Sequence, residues 1–240
     1  MRVIAALGLG VLYAIGALVG IALGVVVFAV SLVRGARAVH AEGVVCRAII
    51  TSETVPRLAG PALVRLSGAF TGAHATAPDV LGLAIRWQTG AVDDAAVGDQ
   101  DLWLATFESF ATAGRDRAAT DAHDFLANHY STVTPWWLPG RGPVTLRLIP
   151  TSPRRGPGDR LVNLDAALAD GATLQLALGS RAAPEVIGEL RLVARLAVDD
   201  RPLRTSPRRH GRGLRALGLR NGIRAAVYPM SQAARRLRGG

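Results

Sequence analysis

The sequence predicts a mainly β, α+β protein: an antiparallel β-barrel or sandwich with a few helices, preceded by one transmembrane helix. Two observations carry that expectation. Val3 to Val33 is a run of 31 residues without a charge. Seven later segments place apolar residues at alternate positions, the period of a strand with one buried face, and turn signals separate them.

The apolar run comes first. As a helix it spans roughly 46 Å at ~1.5 Å per residue, against a hydrocarbon core of about 30 Å. It is too long for the ~7–15-residue apolar core of a secretory signal. The nearest small-residue cleavage pattern, Ala36-Arg37-Ala38, falls within the segment that follows. The expectation is a retained anchor over residues 1–34 and one domain over 35–240. Gly16, Gly20 and Gly24 recur every four residues, a stripe on which another helix can pack. The same glycines in a lone anchor need no partner, and both readings stay open. Arg2 and the α-amine flank one side, Arg34, Arg37 and Arg47 the other, so the positive-inside tendency puts the main domain in the cytoplasm.

Composition narrows the function classes. The net charge is +10, yet every basic residue is Arg and none is Lys. With abundant Ala, Gly and Val this reads as the codon bias of a GC-rich genome. Nucleic-acid binders mix Lys with Arg and interleave aromatics. The dense basic stretch Arg201 to Arg220 contains no aromatic residue, so no nucleic-acid partner is expected. The single cysteine, Cys46, excludes an intrachain disulfide and sits in an apolar run where a buried, inert thiol is the expectation.

The expected strands are Gly43–Thr51, Ala62–Ser67, Leu83–Trp87, Asp101–Phe107, Val144–Ile149, Ala172–Leu178 and Glu189–Val198. Helical character past the anchor is expected at Ala118–Tyr130, capped by Thr120 or Asp121, and at Leu214–Arg238, broken at Pro229. Pro135 to Gly140 reads as a rigid loop with two indoles. Ser152–Asp159 and Thr205–Arg212 read as flexible linkers.

On the C-terminal helix, Arg224 and Tyr228 stand one turn apart, with Arg235 seven residues on. A guanidinium beside a phenol favours the phenolate, and tyrosine is one of the axial ligands of haem iron. A tyrosine snorkelling on an Arg-rich surface helix is the alternative.

Several stretches in chain order resemble the catalase-like haem-binding superfamily. Arg224-x-x-x-Tyr228 followed by Arg235 resembles its proximal motif. Arg37-Ala-Val-His40-Ala-Glu-Gly43 resembles the distal R-x-V-H-A-K-G, and Val64-Arg65-Leu66-Ser67 the V-R-F-S strand. Asp79-Val-Leu-Gly82-Leu-Ala-Ile-Arg86 resembles D-P-R-G-F-A-x-K/R, and Asp101-Leu-Trp-Leu the segment after it. The matches run from Arg37 to Arg236 in a chain far shorter than a full catalase. It therefore resembles the barrel-only branch, which includes peroxidases and allene oxide synthase-like domains.

The resemblance implies a catalase-like antiparallel barrel holding haem b. It implies that His40 is the distal base, that Ser67 bonds its far nitrogen, and that Arg37, Arg65 and Arg235 pair with the haem propionates. Tyr228 is then the axial iron ligand, with Arg224 keeping it ionised. Two departures stand out. The family's distal Asn belongs within Leu104 to Phe107, where only Thr106 offers a hydrogen bond. Val80 and Leu81 replace the Pro and Arg of D-P-R-G. The implied activity is therefore peroxidase-type, on hydrogen peroxide or lipid hydroperoxides. A non-enzymatic haem-binding or scaffold protein of the same fold is the alternative.

Two weaker constellations remain. His123, Asp124 and His129 give a His-x5-His spacing whose imidazoles point to different helix faces, which disfavours a shared metal. Asp93, Asp94, Asp99 and Asp101 read as a solvated acidic loop.

Overall fold

The structure, a computed structural model, describes residues 2–74, 76–88, 98–198, 200 and 203–238. The apolar run is one helix, α1 (Arg2–Arg34). The next elements are strands β1 (Gly43–Thr51), β2 (Gly60–Gly68), β3 (Leu81–Trp87) and β4 (Gln100–Ala105), then helix α2 (Ala113–Ala119). Strands β5 (Tyr130–Ser131), β6 (Trp136–Leu138), β7 (Gly142–Val144) and β8 (Leu146–Pro150) lead to helix α3 (Arg160–Ala169). The chain closes with β9 (Thr173–Gly179), β10 (Pro184–Leu196), β11 (Arg215–Ala216) and helix α4 (Gly218–Leu237).

Eight strands form a closed antiparallel barrel in the order β1-β10-β9-β8-β5-β4-β3-β2. Closure removes the unpaired edges that an open sheet would expose. The alternating leucines and valines fill the lumen: Cys46, Val64, Leu66, Leu83, Ile85, Leu102, Leu104, Leu148, Leu176 and Leu190 belong to one buried cluster. Strands β2 and β3 depart from the one-sided expectation, because their outward residues are also buried, from Ala62 to Gly68 in β2. Something covers the barrel wall there.

Several elements differ from the sequence expectation for identifiable reasons. Residues 120–129 do not continue a helix. Thr120 ends α2 instead, and the short polar side chains take over the backbone bonds. Asp121 Oδ1 accepts from His123 N, Asp124 Oδ1 from Leu126 N, and Asn128 Oδ1 from Asp121 N. Helix α4 runs through Pro229 without a break. Trp136 to Leu138 is a strand of a small second sheet, β11-β6-β7, rather than a loop. Helix α3 was not expected; Asp159 caps it by accepting from Leu161 N at 2.7 Å. Thr205–Arg212 is no free linker. Ser206 N and Arg209 Nη1 both donate to Asp101 Oδ2, at 2.7 and 2.8 Å.

Helices α1 and α4 pack side by side and run in the same direction. The three glycines of the α1 stripe face α4 of the same chain: Gly16 meets Leu219, Gly20 meets Ile223 and Ala226, and Gly24 meets Met230. Ser31 Oγ and Ser231 Oγ lie 2.8 Å apart near the far end. Helix α1 is thus laid against α4 and not detached from the rest of the chain.

Candidate functional site on the outer wall of the barrel

The strand register assembles the site. Gly43 pairs with Ser67, Ser67 with Gly82, and Gly82 with Ala105; one row along, Val45 pairs with Arg65, Arg65 with Ala84, and Ala84 with Trp103. Their chain neighbours line the lumen, so by strand alternation these residues face outward. Gly82, Ala84 and Ala105 make a floor of small residues on the wall.

His40 reaches this floor from the loop after α1. Its backbone is in the left-handed region at φ 55 and is pinned by donation from its N to Ala69 O at 2.9 Å. A non-glycine residue there carries strain that clusters at functional sites. The imidazole lies directly on Gly82, where a Cβ would come 2.5 Å from Cε1. Ser67 Oγ is 3.0 Å from His40 Nδ1. Burial, and then the nearby Arg65 charge, push the His40 pKa down to about 4 against the opposing pull of Asp79. The ring is therefore a neutral base near pH 7. When Nδ1 donates to Ser67, Nε2 is left free to accept a proton.

Arg65 rests over Gly43, donates through Nε to Asp200 Oδ2 at 2.6 Å, and donates through Nη2 to His40 O at 2.8 Å. Arg37 donates to the same carboxylate at 3.1 Å and to the carbonyls of Asp200 and Leu203 at 2.8 and 2.7 Å. Arg235 comes from α4, is buried, and acts electrostatically on both. Burial, then the like charges of Arg65 and Arg235, bring Arg37 down to about 9. Burial likewise lowers Arg65 and Arg235, with Arg204 adding its like charge to Arg235. Three of the residues singled out in the sequence therefore converge, around a carboxylate that was not.

Tyr228 also faces this region from α4 and bears on the charge of Arg65. Its ring meets the Trp103 indole edge-on, with centroids 5.3 Å apart and planes at 88°. Trp103 in turn donates from Nε1 to Thr205 Oγ1 at 3.0 Å. Arg224 donates to Asn221 Oδ1 at 3.1 Å and to Thr134 Oγ1 at 3.5 Å; the phenol of Tyr228 is not its partner. It lies near enough to His40 to disfavour protonation there. Thr106 is turned to other work: its Oγ1 accepts from Leu81 N at 3.1 Å and from Thr120 Oγ1 at 2.9 Å. It lines a separate cavity of about 190 Å³ with Thr120, Asn128 and His129.

Asp200 and Trp103 are the site residues that sequence reasoning missed. Asp200 follows the end of β10 and has no distinguishing sequence signal. Trp103 had one, a large ring in register with Gly and Ala on the neighbouring strand.

The remaining candidates are structural. Cys46 is fully buried in the barrel, and burial raises its thiol to about 12. His123 Nδ1 contacts Gly158 O at 2.8 Å, and no group of three or more metal-ligating side chains occurs among the described residues. Asp93 and Asp94 lie outside the described residues. Asp99 and Asp101 are buried rather than solvated, and Asp101 ion-pairs with Arg86 and Arg209.

No family model matches the sequence, and no curated protein does. Among solved structures the chain is similar to a fungal catalase, with a TM-score of 0.60 and 11% sequence identity. The match covers 83% of this chain and 59% of the catalase chain, so the likeness is one of fold and spans little more than half of that protein. An eight-stranded closed antiparallel barrel, four helices and this neighbour together give the chain a catalase-like fold.

Proposed function

We propose that the chain is a membrane-associated haem b protein with peroxidase-type activity on hydrogen peroxide or lipid hydroperoxides. The observation that carries this reading is the convergence of Arg37, Arg65 and Arg235 beside Tyr228 and the His40–Ser67 pair. Arg37 and Arg65 already bind one carboxylate, that of Asp200, and forked guanidiniums of this kind suit the carboxylates of haem propionates. Arg224, which the resemblance assigns to the phenol of Tyr228, bonds to Asn221 and Thr134 instead, so the support for Tyr228 is its place beside Arg65. The donor set fits haem.

When bound, haem supplies the redox-active iron at which a peroxide bond is cleaved. The chain supplies the rest. Tyr228 would hold the iron, and Arg37, Arg65 and Arg235 would hold the propionates. His40, neutral because of its low pKa, takes a peroxide proton at Nε2 while Ser67 fixes the ring through Nδ1. Thr106, already bonded to Leu81 and Thr120, offers less to an incoming peroxide than a free amide would. Trp103 fills the space between the barrel wall and Tyr228, so haem entry requires its indole to swing away.

Trp103 and the occupied hydroxyl of Thr106 also favour a second reading, a non-enzymatic protein of this fold. One experiment addresses both. The protein, expressed with ample haem, shows a Soret band that Tyr228→Phe abolishes or greatly weakens. A colourless wild-type preparation overturns haem binding; a coloured protein without peroxide turnover leaves the second reading.

A further inference from the structure

The span of α1 could cross a bilayer on length and hydropathy, with a mean of 2.6 over its most apolar window. Its seam with α4 argues for another placement. The seam begins at Leu9, beside Gly218, and ends at Val33, whose carbonyl accepts from Arg238 Nη2 at 3.1 Å. Between them the two backbones touch. A Cβ on Gly20 would come 2.7 Å from Ile223 O, and one on Gly222 would collide with Tyr13 O. Strand β7 also packs against α1.

Helix α4 cannot follow α1 into hydrocarbon. It carries Arg220, Arg224, Arg235 and Arg236, and its Tyr228 ring meets Trp103 of the barrel. Charged side chains at bilayer depth are costly, and the sheet's polar loops cost more. With the seam intact, α1 lies along the domain and does not project from it.

The face of α1 turned away from α4 is aliphatic throughout. Leu7, Val11, Leu18, Val25 and Val33 are each more than 60% exposed. No charged residue interrupts Val3 to Val33. A surface made for another protein carries hydrogen-bonding groups and aromatic anchors among its apolar atoms, and this one lacks both. Exposed arginines lie at its end: Arg34 at the end of α1, Arg236 on α4, and Arg238 just past α4, donating to Val33 O. Basic side chains beside an apolar face match an anionic leaflet.

We infer that α1 lies in the plane of one anionic leaflet, its aliphatic face among the upper acyl chains and its other face held by α4. Interfacial helices ordinarily carry their own polar face. Here α4 supplies it. The inference rests on the membrane association in the proposed function and is independent of haem. It sets the Tyr228 helix about one helix diameter (~10 Å) from the acyl chains, within reach of an oxidised lipid.

The test uses the full chain with Cys46→Ser and a single cysteine at either end of α1, Ala6→Cys or Ala36→Cys. A membrane-impermeant maleimide is added to spheroplasts and to inverted vesicles of expressing bacterial cells. In-plane placement makes both positions behave alike: both labelled in one preparation and both protected in the other. Opposite labelling of the two ends establishes a spanning helix and overturns the inference. A chain found only in the soluble fraction overturns it as well, and one that is a dimer there, broken by Leu18→Glu, names a second copy as the occupant. The Soret absorbance of the same preparations reads haem binding separately, so failure of that reading is not confused with failure of this one.

Discussion

Arg65 and Asp200 form a buried ion pair, Nε to Oδ2 at 2.6 Å, at the point where the sequence resemblance puts a haem propionate. The carboxylate balances Arg37 as well, 3.1 Å away. Removing one partner of a buried pair typically costs about 3–5 kcal/mol, because the charges left behind stay buried and unpaired. Asp200→Asn is expected to destabilise the haem-free protein by about 3 kcal/mol in urea unfolding. Added haem should restore more stability to the variant than to wild type, since propionates then meet unopposed guanidiniums. Equal haem stabilisation of both forms argues that propionates do not reach this cluster.

His40 predicts two pH responses. Its folded pKa, about 4, lies below the unfolded value of 6.5, so between these values the unfolded chain binds more protons than the native one. Its contribution to stability is therefore complete above pH 6.5 and is lost as pH falls toward 4, up to about 3 kcal/mol. His40→Gln should flatten that part of the stability profile. Peroxide turnover that uses His40 as base should hold steady from pH 8 to 5 and fall through about 4. His40→Ala should cut turnover by about 10²–10⁴-fold with haem content unchanged. Full activity in that variant makes His40 a spectator.

The barrel was legible because its strands alternate: β1 occupies the expected residues, and β2, β3, β4 and β9 differ from expectation by a few positions. The convergence of Arg37, Arg65 and Arg235 was legible only through a resemblance, since nothing in their spacing brings together groups from a loop, a strand and a helix. Asp200 was illegible for the same reason: its partners are set by register and by the path of α4. Helix α3 was missed although Asp159 and Gly171 bracket it with ordinary start and stop signals, because the Pro- and Arg-rich stretch before it read as a linker. At residues 120–129 the apolar spacing suggested a helix, and the Asp and Asn side chains overrode it.

Trp103 predicts a gain from truncation. Its indole packs on Tyr228 at 5.3 Å and on Trp136 at 6.0 Å, which fills the gap above the floor of small residues. Trp103→Val opens that gap. Because the ring is only half-buried, the haem-free variant should lose less than the full cost of deleting a core ring, about 1–3 kcal/mol. Haem titration followed at the Soret band should nevertheless show tighter binding than wild type. Weaker binding would mean that the indole is part of the haem contact and not an obstacle to it.

The seam between α1 and α4 predicts a cross-link. Ser31 Oγ and Ser231 Oγ approach to 2.8 Å, so the two side chains point at one another across the seam. With Cys46→Ser removing the native thiol, Ser31→Cys with Ser231→Cys should oxidise readily to an intrachain disulfide. A non-reducing gel shows it as a shift in mobility at monomer mass. Gly16→Leu with Gly20→Leu then tests what holds the helices together, since the added side chains meet the backbone of Leu219 and Ile223 rather than a movable side chain. Overpacking of this kind costs about 1–3 kcal/mol per site where neighbours can give, and backbone gives least. The cross-link should drop sharply in that background while far-ultraviolet circular dichroism keeps the barrel signal. A cross-link that survives both leucines would mean that contacts outside the glycine stripe hold α1 in place.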